Sequence, residues 1–152
     1  MRTFYENIKV ARAQVNPETA IADTTYYPLS GSFIDTRGFE MCTFHIQAGA
    51  LDTALTFQVR QDTSATVTAS VKALTDALEV VGTGDDGEDF LVEFETKKLD
   101  TANGFVFVSL YATGGSGSND YAAIQCYLWN ARDLPVTQGS NLPTANKTLL
   151  IG

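Results

Sequence analysis

Hydrophobic and polar residues alternate with a period of two along the middle of this chain. The alternation predicts six strands, which lie at Met41–Ala48, Leu55–Arg60, Thr66–Val71, Phe90–Glu95, Phe105–Tyr111 and Tyr121–Trp129. Each of the first four has one apolar and one polar face, which is typical of antiparallel sheets stacked on each other. The pattern therefore predicts an all-β protein, an antiparallel β-sandwich or jelly roll of about seven to eight strands.

Two segments outside the clear pattern leave a choice of structure. Ile8–Val15 fits a strand or a short helix, and Ala69–Val81 has room for one short helix. Proline-containing pairs at Asn16-Pro17 and Tyr27-Pro28 favour extended backbone. We therefore predict an N-terminal arm at 1–30, a sandwich domain at 31–133 and a C-terminal arm at 134–152.

The last two predicted strands are apolar on both faces. In the last strand, Tyr127 and Trp129 lie on the face opposite Ile124 and Leu128. We expect both strands in the middle of a sheet, with their aromatic face either covered by an arm or docked onto another subunit. Aromatic side chains on a sandwich surface also stack on sugars, so Tyr127 and Trp129 are candidate partner-binding residues in either case.

The C-terminal arm is polar except at its tip, where Leu149, Leu150 and Ile151 follow one another. An apolar tip is poorly suited to water, so we expect it to fold back or to anchor in a neighbour as an added strand. These three residues complete the set of candidate partner-binding residues.

The composition describes a globular chain with a core of its own. Hydrophobic residues make up 44% of the 152 residues, enough for one domain that folds without metal or disulfide bonds. Cys42 and Cys126 lie on the inward parity of their strands, so we expect small buried hydrophobic side chains. A disulfide between Cys42 and Cys126 is also possible from the sequence.

The net charge of −8 is concentrated in one stretch. Nine acids and two lysines lie between residues 76 and 100, so this stretch carries −7. This negative charge repels phosphate groups, so we expect no binding of nucleic acid. The run at 84–89 is predicted to be a solvated loop, with a contact for a basic partner or a loosely held cation as alternatives. No apolar run has the length of a signal peptide or a membrane span, so we expect synthesis in a cytoplasm and no membrane contact.

Residues for catalysis are scarce. The only histidine, His45, has outward parity and is expected at the surface or in an interface. Two inward cysteines and one histidine are too few for structural zinc, and the glycine-rich run at 114–118 has no lysine and no following helix for a phosphate. We expect no enzyme, no metal and no cofactor.

An ordered set of segments runs along the middle of the chain. It consists of Gly31 to Glu40 with the run Ile34-Asp35-Thr36-Arg37-Gly38-Phe39-Glu40, Thr43 to Gly49, Phe57 to Asp62, Leu99 to Val108, Ala122 to Leu128 and an exit through Arg132-Asp133-Leu134-Pro135. Together these segments span residues 31–135, about two-thirds of the chain, and they resemble small virion structural proteins of tailed bacteriophages. Asp35 and Arg37 flank the turn into the first sandwich strand, where we expect an ion pair that fixes the chain geometry.

The resemblance is to head decoration proteins, also called cement proteins. It implies a non-enzymatic virion protein on the capsid surface, with the major capsid protein as partner and a trimer as the favoured homo-oligomer. It also implies that the protein clamps neighbouring coat subunits from outside the head. The alternatives are a carbohydrate-binding or host-adhesion module, and a neck or tail component of the virion.

Overall fold

Two antiparallel sheets stack face to face in the computed structural model, which describes residues 7–13, 20–27, 31–114 and 120–133. The strands in this part of the chain are β1 (Lys9–Ala13), β2 (Thr25–Tyr27), β3 (Ile34–Asp35), β4 (Phe39–Ala48), β5 (Leu55–Asp62), β6 (Lys72–Val81), β7 (Asp89–Glu95), β8 (Phe107–Thr113) and β9 (Ala122–Ala131). Two short 3₁₀ helices, Thr96–Lys98 and Thr101–Asn103, lie between β7 and β8. The predicted all-β sandwich is confirmed.

The first sheet has the strand order β1-β9-β4-β7, and the second has the order β2-β8-β5-β6 with β3 also paired to β8. The strands β8 and β9 therefore lie mid-sheet, as their two apolar faces indicated. The segment predicted as Ile8–Val15 contains a strand, β1, which pairs with β9. The strands β1 and β2 lie within residues 1–30 and belong to the two sheets, and the division into domain and arms stays a prediction.

The core lies between the sheets and is filled by the inward parity of the strands. Its fully buried side chains include Phe44, Ile46, Phe57, Leu110, Ile124 and Leu128. Because successive residues of a strand point to opposite faces, the alternation in the sequence was sufficient to identify most of them. Large aromatic and branched side chains at these positions contribute most of the burial that stabilises the sandwich.

The predicted strand at Thr66–Val71 is wrong, and the short helix for which Ala69–Val81 left room does not form. Residues 66–71 form a loop after β5, in which Val67 is 42% exposed, and β6 covers most of the segment Ala69–Val81. The buried carboxylate of Asp62 accepts hydrogen bonds from the backbone N–H of Thr68 at 2.7 Å and from its hydroxyl at 2.7 Å. Side-chain bonds of this kind compete with strand pairing, so β-branched residues here form a loop.

The pairing of β6 with β5 explains why the helix does not form. Leu55 is opposite Val81 and Gln61 is opposite Lys72, with a register shift between them. Without β6, β5 would leave one row of its backbone N–H and C=O groups without strand partners. Tertiary pairing therefore overrides the local preference of this segment.

The two cysteines are buried on adjacent strands. Cys42 and Cys126 are fully buried with free thiols, and their Sγ atoms are 3.7 Å apart. Burial raises the pKa of the Cys42 thiol well above its usual range, and the neighbouring Cys126 adds to this shift. The prediction of two small buried hydrophobic side chains is confirmed.

The predicted pair at the start of the sandwich is present. Arg37 donates to both carboxylate oxygens of Asp35, with an Nη2–Oδ2 distance of 2.6 Å. Between this pair and β4, the backbone turns through Gly38 at a φ of 88° and closes with a bond from Phe39 N–H to the carbonyl of Thr36. A positive φ at this position suits glycine, so the pair and the turn together set the direction in which β4 begins.

Candidate partner-binding face

An apolar groove lies on the outer face of the first sheet. It is lined by Ile8, Thr43, Tyr127 and Trp129 and encloses about 350 Å³. The outward parity of β9 places Tyr127 and Trp129 there, and the pairing of Lys9 with Leu128 brings Ile8 beside them. We call these four residues the aromatic face. A second hollow of about 290 Å³ shares Ile8 and Trp129 and continues to Ala131 at the end of β9.

A hydrogen-bond chain across three strands holds the indole of Trp129. Its Nε1–H donates to Thr43 Oγ1 at 2.9 Å, and the Thr43 hydroxyl donates to Glu93 Oε2 at 3.0 Å. Thr43 is buried, and it is opposite Tyr127 on one side and Glu93 on the other. The ring therefore has one fixed direction on the sheet, which lowers the entropy that it would lose on binding a partner.

Tyr127 is the second aromatic residue of this face. Its hydroxyl donates to Gln125 Oε1, two residues earlier on the same strand. Burial raises the pKa of Tyr127 above its ordinary value of 10.0, so the phenol is neutral at neutral pH. The aromatic face thus offers apolar surface with polar atoms at its edges and carries no charge of its own.

The neighbouring edge strand β7 is acidic. Asp89, Glu93 and Glu95 project outward from it, and we call them the acidic row. Between Asp89 and Glu93 lies Leu91, which is 64% exposed. Acidic residues on an edge strand discourage pairing with other strands, and they also give the face a negative border that suits a basic partner.

His45 lies on this outer face, as its parity predicted. It is half-buried on β4, opposite Leu91, and its Nε2 is 2.8 Å from Asp89 Oδ1. Through this contact with Asp89, His45 connects the inner strand β4 to the acidic row on β7.

The acidic loop at one end of the sandwich uses carboxylates to fix its own backbone. Asp85 accepts a bond from Gly82 N–H at 2.6 Å, and Asp86 accepts one from Leu51 N–H at 3.0 Å. In the described ranges, no three His, Cys, Asp or Glu side chains come together as ligands for a metal ion. The role that the structure shows for Asp85 and Asp86 is to accept hydrogen bonds from backbone N–H groups in and near the loop.

Two other acids are fully buried and also bind backbone. Asp120 accepts bonds from the N–H groups of Asp52 and Thr53, both at 2.8 Å, and thereby fixes the loop before β5. Asp62 does the same for the loop after β5. Parity did not reveal these acids, because Asp62 is the last residue of β5 and Asp120 lies two residues before β9, where the alternation stops.

The structure brings Tyr127 and Trp129 together, while the other predicted partner-binding residues, Leu149, Leu150 and Ile151, lie outside the described residues. Ile8, Thr43 and Glu93 are further parts of the site that the strand pattern did not predict. The outward parity of Thr43 was visible in the sequence, but its role depends on the pairing of β4 with both β9 and β7.

No family model matches the chain, and no curated protein matches it. Within the described ranges, no helix combines the length and the apolarity that crossing a membrane requires.

Proposed function

We propose that this chain is a capsid decoration protein of a tailed bacteriophage, which binds the outside of the assembled head and bridges coat subunits. The observation that carries the proposal is the aromatic face, a fixed apolar groove on the outer side of a sheet whose inner side already forms the core. The resemblance of residues 31–135 to virion structural proteins supports the same function.

The aromatic face and the acidic row have the composition of a protein interface. Tyrosine and tryptophan are the residue types that contribute most to binding at the centre of an interface, and charges at the rim select the partner. We propose that the major capsid protein provides an apolar contact for Trp129 and a basic group for Glu93. Glu95 already pairs with Lys97, at an Nζ–Oε2 distance of 2.7 Å. Trimerisation at a symmetry point of the shell multiplies such contacts. Several contacts of modest affinity then give a high overall affinity for the shell.

The number of copies in a virion tests this function. Particles of the phage that encodes the chain are purified, and the chain is counted against the major capsid protein by quantitative mass spectrometry. Dozens to hundreds of copies on the head support a decoration protein. A handful of copies identifies a neck or tail component, and a particle that lacks the chain overturns the proposal.

Variants of the aromatic face test the docking surface. The binding assay uses capsids that lack the wild-type chain. Trp129→Ala should lower the affinity of the added protein for these capsids by tenfold or more, since the central aromatic anchor is lost. Val67→Ser is the matched control, because it removes an exposed apolar side chain that lies in the loop between β5 and β6. Equal binding by both variants and the wild type would show that another surface docks.

Deletion of residues 136–152 tests whether the C-terminal arm contributes to capsid binding. The deletion removes the apolar tip, Leu149, Leu150 and Ile151. The truncated protein should bind capsids more weakly and keep the unfolding transition of the full chain. Saturation of capsids at the concentration that the full-length chain needs would remove the arm from the proposal.

A carbohydrate-binding module is the second candidate, and the fixed indole of Trp129 beside Tyr127 favours it. An aromatic ring held in one orientation can stack on the apolar face of a sugar. Binding on a glycan array that disappears in Trp129→Ala would support this candidate, and a glycan array without signal would exclude it for the glycans displayed.

A further inference from the structure

A second aromatic cluster lies on the outer face of the other sheet, and it contains an arginine. The guanidinium carbon of Arg60 on β5 lies 4.8 Å from the ring centre of Tyr111 on β8. The ring of Tyr111 is 4.9 Å from that of Tyr26 on β2, and Tyr26 is 5.2 Å from Phe33. We call these four residues the arginine cluster.

Arg60 has no carboxylate partner among the described residues. Its Nε is inaccessible to solvent and makes no hydrogen bond within the part of the chain that the structure describes. Asp62 is two residues away, but its oxygens accept bonds from Thr63 and Thr68. Its two Nη groups are the end of the guanidinium that a partner can reach, and they too make no hydrogen bond or ion pair among the described residues.

The other stacked arginine provides a direct contrast. Arg37 lies 5.6 Å from the ring centre of Phe107 and is also bound through two nitrogens to Asp35. Arg60 has the same kind of aromatic support at a shorter distance and lacks the acid.

We propose that Arg60 binds a carboxylate group of a protein partner. The two Nη groups of a guanidinium present parallel N–H donors that match the two oxygens of a carboxylate, and stacking on Tyr111 fixes the plane of this fork. Phosphate chains are disfavoured, because a net charge of −8 repels a polyanion. The partner surface therefore carries a single acid in an otherwise neutral or basic setting, with apolar atoms that contact Tyr26 and Tyr111.

This contact lies on the opposite sheet from the aromatic face and does not depend on the proposed function. A protein with both surfaces can hold two neighbours at once, one on each outer face. Loss of either surface leaves the other intact, so the two proposals fail separately.

The test is a side-chain NMR titration of the full-length chain. The probe is N-acetyl-glutamate α-amide, which carries one carboxylate, and the matched control is the corresponding glutamine compound. The Arg60 Nε–H signal, which reports binding at the Nη end of the same guanidinium, should shift and saturate with the glutamate probe and stay in place with the glutamine probe. Arg37 is an internal reference, since its fork is already bound to Asp35. Equal shifts of Arg60 and Arg37, or none at Arg60, would overturn the proposal.

Two variants separate the fork geometry of Arg60 from its charge alone. Arg60→Lys keeps the charge and loses the fork, so its affinity for the glutamate probe, followed by the Tyr111 ring signals, should fall at least fivefold. Unchanged affinity in Arg60→Lys would contradict the proposed geometry. Tyr111→Leu should weaken binding by a smaller factor, because it removes only the support of the ring.

A third variant, Asp76→Asn, tests an acid on the neighbouring strand β6. If Arg60 is open to a partner, its Nε–H signal and its affinity for the probe stay unchanged in this variant. A shifted Arg60 signal together with tighter probe binding would assign Asp76 as an internal partner and overturn the proposal.

Discussion

The indole Nε1–H of Trp129 donates a hydrogen bond to the hydroxyl of Thr43, 2.9 Å away on the adjacent strand. Thr43 in turn donates to Glu93 on the next strand, so one threonine connects the ring to the edge of the sheet. A tryptophan on an outer sheet face is otherwise restrained mainly by contacts on one side. This bond explains how a surface ring obtains the fixed orientation that binding a partner requires.

Thr43→Val tests this connection while conserving side-chain shape. The valine cannot accept from Trp129, so the free energy of unfolding should fall by about 1 kcal/mol. Trp129 is the only tryptophan, so its fluorescence reports on this ring alone. We expect a shift of the emission maximum to longer wavelength, and urea unfolding gives the stability change in the same experiment.

Thr56→Val is the matched control for this experiment. Thr56 is a partly buried threonine on β5 of the other sheet and lies away from Trp129. It should leave the emission maximum unchanged. If Thr43→Val also leaves both emission and stability unchanged, the bond does not orient the ring.

The buried carboxylate of Asp62 should make stability depend on pH. Burial by itself would raise the pKa of Asp62, but hydrogen bonds from Thr68 and the loop backbone hold it below its ordinary value of 3.8. Because the pKa is lower in the folded chain than in the unfolded chain, the charged group stabilises the fold above about pH 4. This stabilisation is lost as the pH falls through the folded-state value.

Asp62→Asn separates this effect from the other acids. The amide keeps an acceptor oxygen but loses the charge, so we expect about 1–3 kcal/mol less stability near neutral pH. Hydrogen bonds from Lys72 lower the pKa of Asp100, yet that acid is present in both proteins. The gap between wild type and variant in urea unfolding should therefore shrink toward about pH 3. A gap that is constant with pH would show that the Asp62 charge does not stabilise the loop.

The sequence predicts the core of this fold well, because burial and strand parity coincide. Phe44, Phe57 and Ile124 are apolar residues in alternating strands, and each is fully buried between the sheets. The loop at 66–71 has the same alternation, but there Asp62 supplies an acceptor that the backbone uses instead of a strand partner. Periodicity carries no information about such a competing hydrogen bond, so the strand prediction failed at that point.

The aromatic face is less visible in the sequence than the core. Tyr127 and Trp129 are identified by their parity, since large aromatic residues on the outward side of a strand are conspicuous. Thr43 on β4 and Ile8, just before β1, lie far from β9 in the sequence, and only the order β1-β9-β4 brings them to the same groove. Strand order depends on long-range pairing, which one sequence does not specify.

Cys42 and Cys126 should be unreactive while the protein is folded. Both thiols are fully buried, and the raised pKa of Cys42 lowers the fraction of reactive thiolate. Ellman's reagent should therefore give no colour with the native protein. After unfolding in urea, the same reagent should detect both thiols. Fast reaction in the native state would mean that the centre of the first sheet opens locally.

Gly114 should tolerate no side chain, because three segments meet around it. Its backbone has a φ of 97°, and a Cβ atom there would lie 2.6 Å from the carbonyl oxygen of Ala54. Its N–H also donates to Asp23, so the backbone has little room to move away. Gly114→Ala combines an unfavourable φ with a clash against backbone, and we expect a loss of about 2 kcal/mol or more in urea unfolding.

Gly84→Ala is the matched control for this substitution. Gly84 lies in the acidic loop, has no atom within 4 Å of the added Cβ and does not have a positive φ. Its stability should stay within about 0.5 kcal/mol of the wild type. If both variants are equally stable, the segments at Asp23, Ala54 and Gly114 do not pack as closely as described, and the end of the sandwich next to the acidic loop is open. A selective loss in Gly114→Ala instead supports a rigid junction there, which holds the loops around the buried Asp120 in place.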